Sequence, residues 1–232
     1  MGVPSNNTYD KVNHRLVASK LLFVMMLSLY FGRLGIYIGF SLKPYMMVLL
    51  LCVAFFGKYM KFTKFYNYEI ALLTFFMVHS LSALQFRFPE ESLRFLFALV
   101  VVFVFYLIVR GLLYWCRIED LERAISISGL IGVGASLLYY FLGLFSTGLR
   151  FSGNAVIYGL MVDRGIPRLA GTPTSDPNIS AFFLTLYFVY TLCHLDSWLN
   201  RIGIALSFMA ILLSFSRGAH LALVLTLVLF FL

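Results

Sequence analysis

Apolar runs of bilayer-crossing length follow one another along most of this chain, and they leave its fold few choices. Backbone lodged in lipid must satisfy its N–H and C=O groups internally, which admits helices or a closed barrel. The runs here have helical length. Leu21 to Gly57 has room for two spans broken at Lys43-Pro44, and Asn67 to Phe86, Phe95 to Trp115, Ala124 to Phe145 and Ile179 to Leu195 each match one. Ile202 to Phe215 is short unless the Asp196–Arg201 turn joins it, and His220 to Leu232 stops without a closing charge. Composition agrees: 61% of the residues are hydrophobic and 12% charged, against about 45–50% and about 25% in an average soluble domain. The expectation is an all-α polytopic membrane protein of about eight transmembrane helices, the last one truncated. The abrupt apolar end suggests an incomplete chain.

Met1 to Lys20 is polar and lacks the apolar centre of a signal peptide. It reads as a cytoplasmic tail (1–20) ahead of a transmembrane domain (21–232). With the N-terminus inside, Lys11, Arg15, Lys20, Lys58, Lys61, Lys64, Arg117, Arg123 and Arg201 fall on the inner face, in line with the positive-inside rule. Lys43, Arg87, Arg94, Arg150, Arg164, Arg168 and Arg217 fall outside. Every lysine but Lys43 is therefore inside, while the outer cations are nearly all arginine, whose fork matches phosphate geometry. The net charge of +8 comes without a dense basic run, so the partner is the lipid bilayer and no nucleic acid. Arg33, read as lying within the first span, has to face protein or snorkel, and Glu69 and His79 sit in the third. Glycine and serine between Ala124 and Phe145 permit close helix approach. Cys52, Cys116 and Cys193 read as separate buried thiols.

The longest polar interruption is a periplasmic loop at 146–178. Within it, Phe151 to Val162 is mildly apolar and reads as a short interfacial or inward-dipping helix. The stretch Asp163 to Asn178 runs D-R-G-I-P-R-L-A-G-T-P-T-S-D-P-N. Pro167, Pro173 and Pro177 forbid helix continuation there, while Gly165 and Gly171 permit turns. Asp176 or Asn178 suits the cap of the next helix, with Pro177 at an early position. A capped helix start also presents donors to anions. A second polar element, Ser216-Arg217-Gly218, separates the last two apolar runs, and His220 shares a helix face with Arg217.

Two of these segments resemble one family. Arg168-Leu169-Ala170-Gly171-Thr172 followed by Asp176-Pro177-Asn178 is similar to the R-x-x-G…D/N-P-N loop of the bacterial O-antigen ligase and polymerase superfamily. Leu212-Leu213-Ser214-Phe215-Ser216-Arg217-Gly218-Ala219 resembles that superfamily's L-T-x-S-R-G-A segment, at matching spacing. The resemblance implies a multi-pass bacterial inner-membrane protein acting at its periplasmic face. It implies transfer of oligosaccharide from an undecaprenyl-diphosphate carrier to an acceptor glycan, lipid A core or protein, without metal, cofactor or nucleotide sugar. It also implies that Arg217 contacts the carrier diphosphate. The family's second arginine and histidine, from a later periplasmic loop, have no counterpart before Leu232.

Such a transfer needs charge stabilisation on the departing diphosphate and a base for the acceptor hydroxyl. Clustered arginines supply the first in a site of low dielectric. Arg217 is the catalytic candidate, with Arg168, Arg164, Arg150, Asp176, Asn178, Ser216 and His220 as substrate-binding candidates. For six of these there is a plainer role: snorkelling for Arg217, loop bracing for Arg168, solvation for Arg164 and Arg150, capping for Asp176 and Asn178. The alternative function is a polytopic transporter or lipid-linked glycan flippase built around Arg33, Glu69 and His79.

Overall fold

A computed structural model of the protein describes residues 6–37, 41–60, 64–83, 89–151, 154–172 and 176–232. Lys61, Arg87 and Pro173, used in the readings above, lie outside the described residues. Most of what is described is helical: α1 (Asn6–Leu29), α2 (Pro44–Phe56), α3 (Asn67–Ala83), α4 (Pro89–Leu113), α5 (Ile118–Ser146), α6 (Pro177–Cys193), α7 (Trp198–Ser214) and α8 (Arg217–Phe231). Three of them begin on proline, whose fixed φ and missing N–H suit the first helical position. Ser92–Leu113 and Ile118–Ser146 are long and apolar enough to cross a membrane. The apolar helices Pro44–Tyr59, Pro177–Cys193, Trp198–Ser214 and Arg217–Phe231 are shorter. Along α4 the large side chains Leu93, Phe95, Phe97, Val100 and Val102 are exposed on more than one side of the helix, a surface that water does not favour.

The chain forms two compact units, Met1–Leu21 with Leu49–Arg117, and Leu22–Val48 with Ile118–Leu232. In the first, α3 pairs with α4. Glu69, 1% exposed, is met there by Arg110 Nε at 2.6 Å. It also accepts from the Tyr66 backbone N–H at 2.7 Å and from the Tyr106 hydroxyl. Arg110 in turn donates to the Lys64 carbonyl at 2.9 Å. The carboxylate is thus paired as well as buried, the condition under which a charge survives out of water. Cys52 is buried in α2, whereas Cys193, expected buried, is exposed.

In the second unit α5, α6 and α7 pack around Val133, Leu137, Leu184, Tyr187, Phe188 and Ile211, with Ala219 and Leu223 of α8 joining. Close approach depends on glycine. A Cβ on Gly129 would collide with the Tyr187 ring, and one on Gly132 with Tyr30. Tyr187 also donates to the Ser126 carbonyl at 3.0 Å, and Tyr190 to that of Glu122 at 3.1 Å, fastening α6 to α5.

Between α5 and α6 the chain builds a three-stranded antiparallel sheet of β3 (Ala155–Ile157), β4 (Leu160–Asp163) and β5 (Ile166–Leu169), in that order; β1 (Ile36–Tyr37) and β2 (Ser41–Leu42) form a separate pair and precede them in the chain. The chain remains mostly helical, but strands β3 and β4 correct the short helix expected over Phe151 to Val162. The physical reason is alternation: Leu160 and Val162 of β4 are buried while Met161 and Asp163 are not, and Leu169 of β5, paired with Leu160, is buried on the same side. A period of two buries one face of a strand and cannot form the stripe of a helix. The β4–β5 turn places Arg164 at φ 52 and Gly165 at φ 78, the pair of positive values that a twist-matched two-residue hairpin requires.

The N-terminal tail is helical from Asn6 and continuous with the first apolar segment, because no glycine or proline interrupts residues 6–29. One further expectation changes. Arg33 does not lie mid-span: α1 ends at Leu29, a turn follows, and the Arg33 N–H bonds the Thr172 carbonyl at 3.1 Å. Gly32 and Gly35 flank it and end the helical run.

Candidate functional site

Strand β5, the start of α6 and the α7–α8 corner converge on Arg168. Its Nε donates to the Ser214 carbonyl at 3.1 Å, and one terminal nitrogen reaches the Phe215 carbonyl at 3.4 Å and Asn178 Oδ1 at 3.2 Å. The other lies 3.5 Å from Asp163 Oδ2. Asp163 is diagonal to Arg168 across the β4–β5 ladder, within reach of a long side chain. The guanidinium, 16% exposed, is spent on protein groups. Of the two roles weighed for Arg168, it performs the bracing one.

The corner it braces carries Phe215 at φ 49, a left-handed conformation that a bulky side chain adopts only when its surroundings impose it. Ser214 Oγ donates to the Ile211 carbonyl at 2.6 Å and accepts the Ser216 N–H at 3.2 Å. Ser216, buried, is the N-cap residue of α8, without a side-chain capping bond. His220 Nε2 lies 3.2 Å from the Ile211 carbonyl. A carbonyl only accepts, so that nitrogen carries the proton and binds α8 to α7.

Arg217 is the first residue of α8 and is exposed. Its guanidinium has no polar partner among the described residues. It stands where the helix dipole and free N–H groups also attract negative charge. Asp176 caps α6 by accepting the Asn178 N–H at 2.7 Å, so the capping reading of that pair holds in the geometry. Arg164, at the exposed β4–β5 turn, is tied by its N–H to Asn154 Oδ1 at 3.2 Å. Arg150 is exposed beyond α5. Among the described residues no bond links either to Arg168 or Arg217.

The structure therefore gathers Arg168, Asn178 and the residues just before Ser216-Arg217, and leaves Arg150 and Arg164 outside that cluster. Asp163 was missed as a partner; its signal was the opposite charge five residues before Arg168, across a glycine-containing turn. Arg33, Tyr139, Tyr158 and Thr172 were also missed as neighbours, for they meet only through tertiary packing. They line a cavity of about 220 Å³ together with Leu34 and Gly171. Among the described residues no group of three or more His, Cys, Asp or Glu side chains converges on one point. Chemically, the corner offers one guanidinium with no polar partner among the described residues, at a helix start braced by a second that is committed to Ser214, Phe215, Asn178 and Asp163. Comparison with protein-family models, curated proteins and solved structures finds no match.

Proposed function

We propose that the chain is a membrane glycan polymerase or ligase. It transfers oligosaccharide from an undecaprenyl-diphosphate carrier to an acceptor glycan, lipid A core or protein at the periplasmic face of a bacterial inner membrane. One observation carries the reading: Arg168 of the R-x-x-G segment hydrogen-bonds the Ser214 and Phe215 carbonyls that lead into Ser216-Arg217. The two motifs behind the family resemblance are thereby joined in space. Arg217, without a polar partner among the described residues, projects from the start of α8.

In this reading Arg217 binds the carrier diphosphate. The acceptor hydroxyl oxygen bonds the anomeric carbon as the C–O bond to the carrier breaks. The electron pair of that bond moves onto the diphosphate oxygen, where the guanidinium stabilises the growing charge, and the hydroxyl proton passes to the departing diphosphate or to water. Arg168 is a positioning residue. His220, holding the Ile211 carbonyl, is a structural link and not the base. The N-terminus and the polar first half of α1 are inside, and the apolar remainder of α1 and the other seven helices are embedded. The helices of 15–17 residues, about 23–26 Å long, are met by local bilayer thinning.

The transporter alternative draws no support from its own residues. Glu69 is fixed by Arg110, Arg33 lies in a turn, and His79 Nδ1 lies 3.1 Å from the Phe75 carbonyl of its own helix. The test is Arg217→Ala in cells making the intact protein. Long-chain glycan disappears while the protein level holds; an unchanged glycan length distribution removes Arg217 from the chemistry and the reading with it.

A further inference from the structure

Behind the Arg168 cluster, the same loop walls a second feature that the diphosphate reading does not use. Gly171 and Thr172, at the end of the R-x-x-G segment, line the cavity of about 220 Å³ with Arg33, Leu34, Tyr139 of α5 and Tyr158 of the β3–β4 turn. Its walls are fixed before any ligand arrives. The Gly159 carbonyl accepts from the N–H groups of Ala170 at 2.8 Å and Gly171 at 3.2 Å, and the Gly159 N–H reaches the Tyr139 carbonyl at 3.4 Å. Thr172 has every polar atom engaged. Its carbonyl takes the Arg33 N–H at 3.1 Å, its N–H goes to Ser136 Oγ at 3.2 Å, and its hydroxyl pairs with the same oxygen at 3.1 Å.

What remains uncommitted is specific. The Arg33 guanidinium and the hydroxyls of Tyr139 and Tyr158 have no polar partner among the described residues. Among the described residues no acid lines the cavity, and the rest of the described wall is apolar or satisfied. Tyr158 is held at φ 51, a conformation costing about 1–2 kcal/mol in a residue with a Cβ, so its ring is presented by a strained turn and not by relaxation.

We propose that this cavity binds an anionic pyranose, a single sugar ring bearing a carboxylate or a phosphate. Arg33 takes the anion as a charge-assisted pair. The tyrosine rings offer apolar faces with a negative quadrupole to the sugar's C–H edges, and their hydroxyls bond its hydroxyl groups. The volume lies below the ~300–1,000 Å³ of drug-sized sites, which favours one ring over an extended chain. The choice of a sugar over another small anion rests on the glycan-transfer reading above; the anion preference rests on Arg33 alone.

The test is ligand binding to the purified full chain in lipid nanodiscs, with glucuronate, glucose 1-phosphate, glucose and inorganic phosphate as probes. Glucuronate and glucose 1-phosphate bind about tenfold more tightly than glucose, and Arg33→Gln removes that advantage. Arg33→Lys, which keeps the charge without the fork, retains part of it and guards against misreading a folding defect. Tyr158→Ala weakens all three sugars. Arg217→Ala leaves sugar binding intact while abolishing transfer, so the two proposals fail separately. Inorganic phosphate binding as tightly as glucose 1-phosphate makes this a site for a bare or lipid-borne phosphate and overturns the assignment. Equal binding of glucuronate by the native protein and Arg33→Gln overturns it as well.

Discussion

Arg168 Nε donates to the backbone carbonyl of Ser214 at 3.1 Å, closing strand β5 onto the last turn of α7. The carbonyls at a helix C-terminus have no partner within the helix and carry the negative end of its dipole. An arginine arriving from a different element satisfies them and fixes where α7 stops. Phe215 then turns through the left-handed region and α8 starts at Arg217. The direction of Arg217 is thus a consequence of the Arg168 bond.

Arg168→Lys separates bracing from anion binding. A lysine keeps the charge but cannot hold Ser214, Phe215 and Asn178 with one planar fork. Both Arg168→Lys and Arg168→Ala therefore lose about 2 kcal/mol, the worth of a hydrogen bond to a charged group. Thermal unfolding in detergent reads the loss. If Arg168→Lys unfolds at the native temperature, the fork is not what holds the corner.

Arg164→Asn tests the hairpin. Arginine at φ 52 ahead of Gly165 sits where asparagine is far better tolerated, and Asn-Gly is the favoured pair for this turn. The substitution stabilises the protein by up to about 1 kcal/mol. On the proposed glycan-transfer reading, transfer continues unaltered, because Arg164 lies outside the Arg168 cluster. Lost transfer with raised stability returns Arg164 to the substrate site.

How far the sequence foretold these features depends on the range of the forces behind them. Pro44 and Pro177 opened helices as expected, and the Asp176 cap was legible because capping acts over two or three residues. Between α5, which ends at Ser146, and α6, which starts at Pro177, lies the segment read as the 146–178 loop. Its sheet was not foreseen, since two buried positions in β4, Leu160 and Val162, are too few to establish a period against a mildly apolar background. Gly165 behind Arg164 was the usable sign of a hairpin. Arg33 was placed inside a span because a hydrophobic count passes over the Gly32 and Gly35 that end the helix. The aim of Arg168 at two carbonyls, 46 and 47 residues further on, is a tertiary fact with no local trace.

Glu69 and Arg110 make an ion pair whose members protect one another. Removing either leaves a charge without its counter-charge in a poorly hydrated place, which destabilises more than removing both. Glu69→Leu and Arg110→Leu each lower the melting temperature of the purified protein, and the double variant recovers much of the loss. A double variant as unstable as the sum of the singles means the two side chains act independently.

Gly129 and Gly134 occupy the same helix, α5, under opposite constraints. A Cβ on Gly129 would enter the Tyr187 ring. That ring cannot withdraw. Its hydroxyl holds the Ser126 carbonyl at 3.0 Å and lies 2.6 Å from where a Cβ on Gly203 would stand, and the side chain is only 2% exposed. Gly129→Ala therefore costs about 1–3 kcal/mol as overpacking. At Gly134 nothing lies within 4 Å of the added carbon, so Gly134→Ala gains up to about 1 kcal/mol from helix propensity. Thermal unfolding of the two single variants gives the comparison. Opposite shifts establish Tyr187 as the key that sets the α5–α6 distance; an equal gain at both sites means α6 yields to the new methyl group and the tyrosine is not fixed.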